Sequence, residues 1–239
     1  MRKVHTEMYF YGFDMYYVIF VLPALIFAMW AQYNVSSTFK KYSSVPTERG
    51  LDGAGAARMV LQRGGVASVS VTEIGGNLTD HYDPSAGAIR LSSSVYGVQS
   101  VAAVGVAAHE AGHALQYAEG YFPVKLRRAI IPISRIGSNM AIPLVVLGLI
   151  FSFMPLAYAG IILFGCAVFF QLVTLPVEFD ASRRAIAAIR ESGTVSEAGC
   201  EDAARVLRAA ALTYVAALFV SLGNMLRLIA LVSGRRDRR

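Results

Sequence analysis

Four apolar runs constrain this chain more than any other feature. Met15–Val35 (MYYVIFVLPALIFAMWAQYNV), Ser138–Phe153, Leu156–Val177 and Ala209–Val232 approach or exceed the ~20 residues that cross a hydrocarbon core. Lipid offers the backbone no hydrogen-bond partners, so such runs must satisfy themselves as helices. Met154-Pro155 breaks the middle pair into a hairpin, and Pro23, Pro143 and Pro176 fall where membrane helices tolerate them. The fourth run carries Asn224 and Arg227, and Arg227 must snorkel, pair or face the interior of the bundle. Composition agrees. The 239 residues are 55% hydrophobic and only 16% charged, against about a quarter charged in soluble domains.

The net charge of +6 does not point to nucleic acid, because no basic stripe or stacking aromatic motif accompanies it. Lys and Arg sit instead beside the apolar runs, where they act as anchors and topology signals. Eleven of them, from Lys40 to Arg208, flank the polar regions, against six at the two termini. With four crossings, that excess places the polar regions in the cytoplasm, although the basic tail RRDRR pulls the other way. Cys166 lies in an apolar run and Cys200 in a polar one, so no disulfide framework is expected. The N-terminus lacks the short apolar stretch and small-residue site of a cleaved leader, so the first run is expected to stay as an anchor.

About a hundred polar residues follow the first run. Asp52 can cap a helix running to about Arg63, which Gly64-Gly65 ends. SVSVTEI alternates like a half-buried strand, and AIRL (Ala88–Leu91) reads as a second extended piece after the turn at Asp83-Pro84. Ser92 or Ser93 is then expected to cap a long helix carrying Val101 to Ala118 and stopping at Gly120. A second polar stretch, Glu178 to Arg208, should be mostly helical, with a break near Ser192–Thr194 and a new cap at Ser196.

The long helix contains AAHEAGHALQ. Residues four apart share a helix face, so His109 and His113 can both aim an imidazole at one metal ion. Glu110 projects about 100° further round, beside such a metal and not on it. There it can serve as general base to a zinc-activated water and later hand the proton to a leaving amine. This is the H-E-x-x-H arrangement of many metalloproteases. Small and apolar residues from Val101 to Ala108 suit a buried helix, and Gly112 leaves room for a neighbouring chain.

VAAHEAGHALQYAEG, the upstream LTDHYDP and the downstream TLPVEFDASRRA together resemble the bacterial membrane neutral zinc metallopeptidases of the YugP type, over nearly the whole chain. More distantly they resemble membrane metallopeptidases in which H-E-x-x-H is followed by E-x-x-A-D. The resemblance implies a mainly α-helical polytopic membrane protein of about four transmembrane helices with a small α+β zinc-metallopeptidase domain. Its parts would be an anchor at 1–37, a metallopeptidase region at 38–137 and a hairpin at 138–177. A helical region at 178–208 would bring the third ligand, and a last span with a basic tail would fill 209–239. The implied cofactor is Zn2+, and the implied location is a bacterial cell membrane. Glu178 matches the distant relatives' third ligand, a position that the hairpin also carries back to the face of the His109 helix. Ser182 stands where those relatives have an aspartate, so orientation of a histidine must fall to Ser182, Asp180 or another residue. Asp180 should face nearly the opposite side of the helix from the ligand.

His81 either stabilises an oxyanion beside a substrate-pairing edge or stands exposed in a turn shaped by Asp80 and Asp83. Tyr82 and Tyr117 are either hydroxyl donors or packing residues. Arg183 and Arg184 are either membrane anchors or partners of a carboxylate near the metal. His5 carries no expected role. The expected activity is a membrane-anchored zinc endopeptidase with its site toward the cytoplasm. It would act on protein or peptide substrates, membrane proteins among them, in contact with the bilayer and with a membrane adaptor or a second copy as partner. Two other readings stand beside it. A non-proteolytic zinc scaffold has no use for Glu110, and structural zinc favours four ligands, often cysteines. A site-2-type intramembrane protease needs an L-D-G aspartate after the histidines, whereas Leu51-Asp52-Gly53 precedes them and reads as a helix cap.

Overall fold

The structure is a computed structural model that describes residues 14–236. His5 and the terminal cations Arg2, Lys3, Arg238 and Arg239 lie outside the described residues. Among the described residues six α-helices and three strands follow in order. They are α1 (Leu22–Ser43, continuing a π-helical turn Tyr17–Val21), α2 (Gly53–Arg63), β1 (Ser70–Ile74), β2 (His81–Asp83) and β3 (Ala88–Ser92). Then come α3 (Val101–Ala118), α4 (Phe122–Ile150), α5 (Met154–Ser192) and α6 (Glu197–Arg236). Among the described residues, α1 with its π turn, α4, α5 and α6 are long and apolar enough to cross a membrane. This is a mainly helical membrane protein with a small α+β portion. The last two helices hold 39 and 40 residues, about 60 Å each at 1.5 Å per residue. That is roughly twice the thickness of a hydrocarbon core, so each has length to spare for residues outside the bilayer.

Contacts divide the chain into two units. The first comprises Met1–Trp30, Ile130–Gln171 and Ala216–Arg239. Val145, Ala157, Leu228 and Val232 form its buried cluster. A Cβ on Gly148 would stand 2.5 Å from the Ala157 backbone nitrogen, so glycine is what lets α4 and α5 approach there. Arg227 is paired: its Nε and Nη2 donate to Asp14 Oδ2 at 2.9 and 2.7 Å.

The second unit comprises Ala31–Ala129 and Leu172–Val215. Its sheet has the order β1-β3-β2, with β1 parallel and β2 antiparallel to β3. Central β3 is buried at Ala88, Ile89, Leu91 and Ser92. β2, which the sequence pattern did not mark, is only three residues long and too short to show alternation. A tight turn returns it to β3, and there Asp83 Oδ1 accepts from the N–H groups of Ser85 and Ala86 at 2.9 and 3.1 Å. Asp52 caps α2 through the Gly55 N–H at 2.7 Å, and Ser196 Oγ accepts from Gly199 N–H at the start of α6, both as expected.

The start of α3 differs from expectation. Ser100, not Ser92 or Ser93, is its cap, and its Oγ accepts from Ala103 N–H at 3.2 Å. Ser92 closes β3, where Asp80 Oδ1 takes both its N–H and its hydroxyl at 2.8 and 3.1 Å. Ser92 and Ser93 thus lie at the end of the strand, too far before Val101 for their oxygens to accept from the first turn of α3. Twelve of the eighteen residues of α3 are buried, so the helix runs through the core with Leu61, Ile89, Leu91 and Ile189 around it.

Candidate metal centre

The centre begins with a close approach of two helices. A Cβ on Gly112 of α3 would lie 2.5 Å from the carbonyl oxygen of Ala181 on α5. With no Cβ there, the two backbones touch. Glu178, about one turn before Ala181, then reaches the two histidines that flank Gly112 at positions 109 and 113. Its Oε2 lies 3.3 Å from His109 Nε2 and 3.5 Å from His113 Nε2. Four ligands at about 2.0–2.2 Å around a tetrahedral metal stand roughly 3.3–3.6 Å apart. Glu178 is 2% exposed, and this oxygen, unlike Oε1, has no hydrogen-bond partner among the described residues. A buried carboxylate oxygen without a donor is costly. Two imidazoles and one carboxylate converging on it are a donor set that suits zinc.

The outer contacts fix the ligands' orientation. Gln116 is fully buried and its Nε2 donates twice, to the Val177 carbonyl at 2.8 Å and to Asp180 Oδ2 at 2.9 Å. Turning the amide over would set an oxygen against two oxygens. Its Oε1 therefore faces His113 Nδ1 at 3.0 Å, where only a protonated nitrogen can donate. That leaves the lone pair of His113 on Nε2, toward Glu178. Ser182 Oγ stands 3.1 Å from His109 Nδ1, where it can orient that imidazole. Asp180 points away from the cluster and pairs with Arg183 and, at 2.6 Å, with Arg184 Nε. Arg184 also reaches Glu119 Oε2 at 2.7 Å. Arg127 Nη1 donates to Glu178 Oε1 at 2.9 Å. Burial alone would pull the His113 imidazole down, but Glu178 and Glu110 beside it, with Gln116, raise its pKa above the ordinary value. Surroundings that favour a proton at His113 favour a metal cation there too.

Glu110 turns aside from the three ligands, and its Oε2 accepts from the Tyr82 backbone N–H at 2.9 Å. That hydrogen bond ties it to β2. Among the described residues β2 pairs with β3 alone, so its other edge runs past Glu110. A cavity of about 200 Å³ borders His109, Glu110 and Glu178 and is otherwise largely apolar, with Phe39, Val106 and Leu207 in its wall. Tyr214 of α6 lines this cavity and also a second one that contains Glu110, His113 and His81. His81 is exposed, with Nδ1 2.8 Å from the Thr79 carbonyl. Tyr117 and Tyr82 make an edge-to-face pair at 5.4 Å, and burial, with Tyr117 and Asp83 nearby, raises the Tyr82 phenol. The N–H groups of Ala86 and Ser85, with Arg90 opposite, hold Asp83 below the usual carboxylate range. Asp83 therefore belongs to the turn and Glu119 to an ion pair, and neither joins the metal cluster.

A family model described as "Putative neutral zinc metallopeptidase" matches residues 17–233. The chain belongs to this family. It is 44% identical over 223 residues to the "Putative membrane protease YugP" of Bacillus subtilis (strain 168), covering 93% of this chain and 99% of that protein. No solved structure matches the chain. Membership in a zinc metallopeptidase family accords with the donor set formed by His109, His113 and Glu178.

Three residues at this family member's site were not singled out for it by sequence reasoning. Gln116 carried a usable signal, since it lies three residues after His113 on the same helix face. Arg127 and Tyr214 carried none, because only folding brings α4 and α6 to the site.

Proposed function

We propose that this chain is a membrane-anchored zinc endopeptidase. The observation that carries the reading is the donorless, buried Oε2 of Glu178 facing two histidine Nε2 atoms, with Glu110 beside them. His109, His113 and Glu178 would hold a zinc ion, which would supply Lewis acidity to a peptide carbonyl and to water. Glu110, steered by the Tyr82 N–H, takes the proton from the attacking water and gives it to the departing amine. The open edge of β2 accepts an extended substrate segment by strand pairing, and the apolar cavity beside Glu178 takes one of its side chains. Tyr214 is a donor available to the oxygen that becomes negative as the carbonyl carbon turns tetrahedral. His81 lines the same cavity but, with Nδ1 on the Thr79 carbonyl, donates from Nε2 only as an imidazolium. Lys and Arg beside the polar regions favour a cytoplasmic site in a bacterial cell membrane. Protein or peptide substrates, membrane proteins among them, follow from that position. An adaptor or a second copy is compatible with the same arrangement.

The test uses full-length protein in detergent, with zinc content and casein cleavage measured for the wild type and Glu110→Gln. Stoichiometric zinc in both, with cleavage by the wild type alone, supports the enzyme. Zinc in both with no cleavage by either favours the non-proteolytic scaffold. A protein without zinc sinks both readings.

A further inference from the structure

Helices α4, α5 and α6 of the first unit enclose a cavity of about 300 Å³. Polar side chains reach it from all three helices: Arg135, Ser138 and Asn139 from α4, Gln171 from α5 and Ser221 from α6. Positions 135, 138 and 139 share one helix face. Ser138 spends its hydroxyl on the Ser134 carbonyl at 2.9 Å. Arg135, Asn139, Gln171 and Ser221 have no hydrogen-bond or ion-pair partner among the described residues. Among the described residues no carboxylate lines the cavity.

This pattern is unusual in helices that are otherwise apolar. Polar side chains within spans normally face a partner or a wet cavity, and charged ones are paired. Snorkelling would account for a lone arginine at a membrane edge. It does not account for two amides and a hydroxyl from other turns and helices converging on the same space. Water could satisfy the amides and the hydroxyl but would leave the guanidinium without a counter-charge. The occupant that answers all four groups is an anion with several acceptor oxygens, and guanidinium matches phosphate in two-pronged fashion. The surroundings suggest its source. Arg135 and Asn139 are exposed, and the large apolar side chains of Ile136, Met140 and Phe169 are exposed on the same helices, as suits contact with acyl chains.

We propose that this cavity binds the phosphate of an anionic phospholipid, with Arg135 on the phosphate oxygens and Asn139, Gln171 and Ser221 donating around it. Basic pockets between transmembrane helices hold lipid headgroups in this manner. The cavity shares no lining residue with the His109, His113 and Glu178 group.

The experiment titrates the full chain with phosphatidylglycerol and follows bound lipid by native mass spectrometry. Arg135→Gln should weaken binding roughly tenfold or more, the scale of lost hydrogen bonds to a charged group. Gln171→Leu should weaken it in the same direction, and Arg135→Lys less than Arg135→Gln. Arg128→Gln, on the same helix but outside the cavity, should lose no more than about fivefold, the worth of one surface charge beside anionic lipid. Unchanged affinity in both Arg135→Gln and Gln171→Leu would overturn the site. So would an equal loss in Arg128→Gln, which would mean surface attraction only. Displacement of the lipid by inorganic phosphate at millimolar concentration would overturn the lipid assignment in favour of a soluble phosphate. Should Arg135→Gln not fold, Gln171→Leu decides the matter.

Discussion

Gln116 Nε2 donates to Asp180 Oδ2 at 2.9 Å, across 64 residues of chain. That contact fixes which way the amide faces, and so which nitrogen of His113 carries the proton. Asp180 thus reaches His113 only through Gln116.

Gln116→Leu should release the His113 tautomer. In nitrogen-15 spectra of the metal-free protein, wild-type His113 should show a protonated Nδ1, and the variant a mixture of both tautomers. Zinc affinity should fall about 10- to 100-fold, the usual cost of losing such an orienting partner. A wild-type spectrum with a bare Nδ1 would refute the assignment.

Glu178→Ala should lower zinc occupancy as strongly as His113→Ala, because each removes one of three converging donors. Asp180→Ala should cost less, about the Gln116→Leu effect, since it removes only the support of a support. Metal analysis of dialysed proteins ranks the three. An Asp180→Ala protein stripped of metal, beside a Glu178→Ala protein that keeps it, would reverse the roles.

Glu110→Gln should keep zinc, since Glu110 is outside the cluster of His109, His113 and Glu178. Its turnover should drop about 100- to 10,000-fold, the typical share of general acid–base catalysis. Near-normal turnover by a folded, zinc-loaded variant would remove Glu110 from the chemistry.

Gly112→Ala should force α3 and α5 apart, because the new methyl meets backbone at 2.5 Å and not a movable side chain. Overpacking of this kind costs about 1–3 kcal/mol, so both the melting temperature and the zinc affinity should fall. Wild-type values for both would show that the helices adjust without disturbing the ligands.

Orientation can be read with a single thiol. Asn77 is exposed in the loop after β1, and Asn77→Cys in a background lacking Cys166 and Cys200 should resist impermeant labelling of intact cells. Ready labelling from outside would put the metal centre on the opposite face of the membrane.

Local pattern by itself marked the apolar helices, the α2 cap at Asp52 and the His109–Glu110–His113 trio. Each of these rests on forces that act within a few residues: helix periodicity, capping and the lipid's refusal of bare backbone groups. Glu178 was legible only through resemblance and a hairpin argument, because its partner ligands lie some 65 to 69 positions away. What tertiary structure alone decided is what occupies the space around those ligands. The Gly112–Ala181 contact sets the distance between α3 and α5. Arg127 arrives from α4 and Tyr214 from α6. Ser92 ends β3 beside Asp80, and Ser100 starts α3. No short-range rule fixes these contacts, because a long side chain can be satisfied by many partners and packing selects among them.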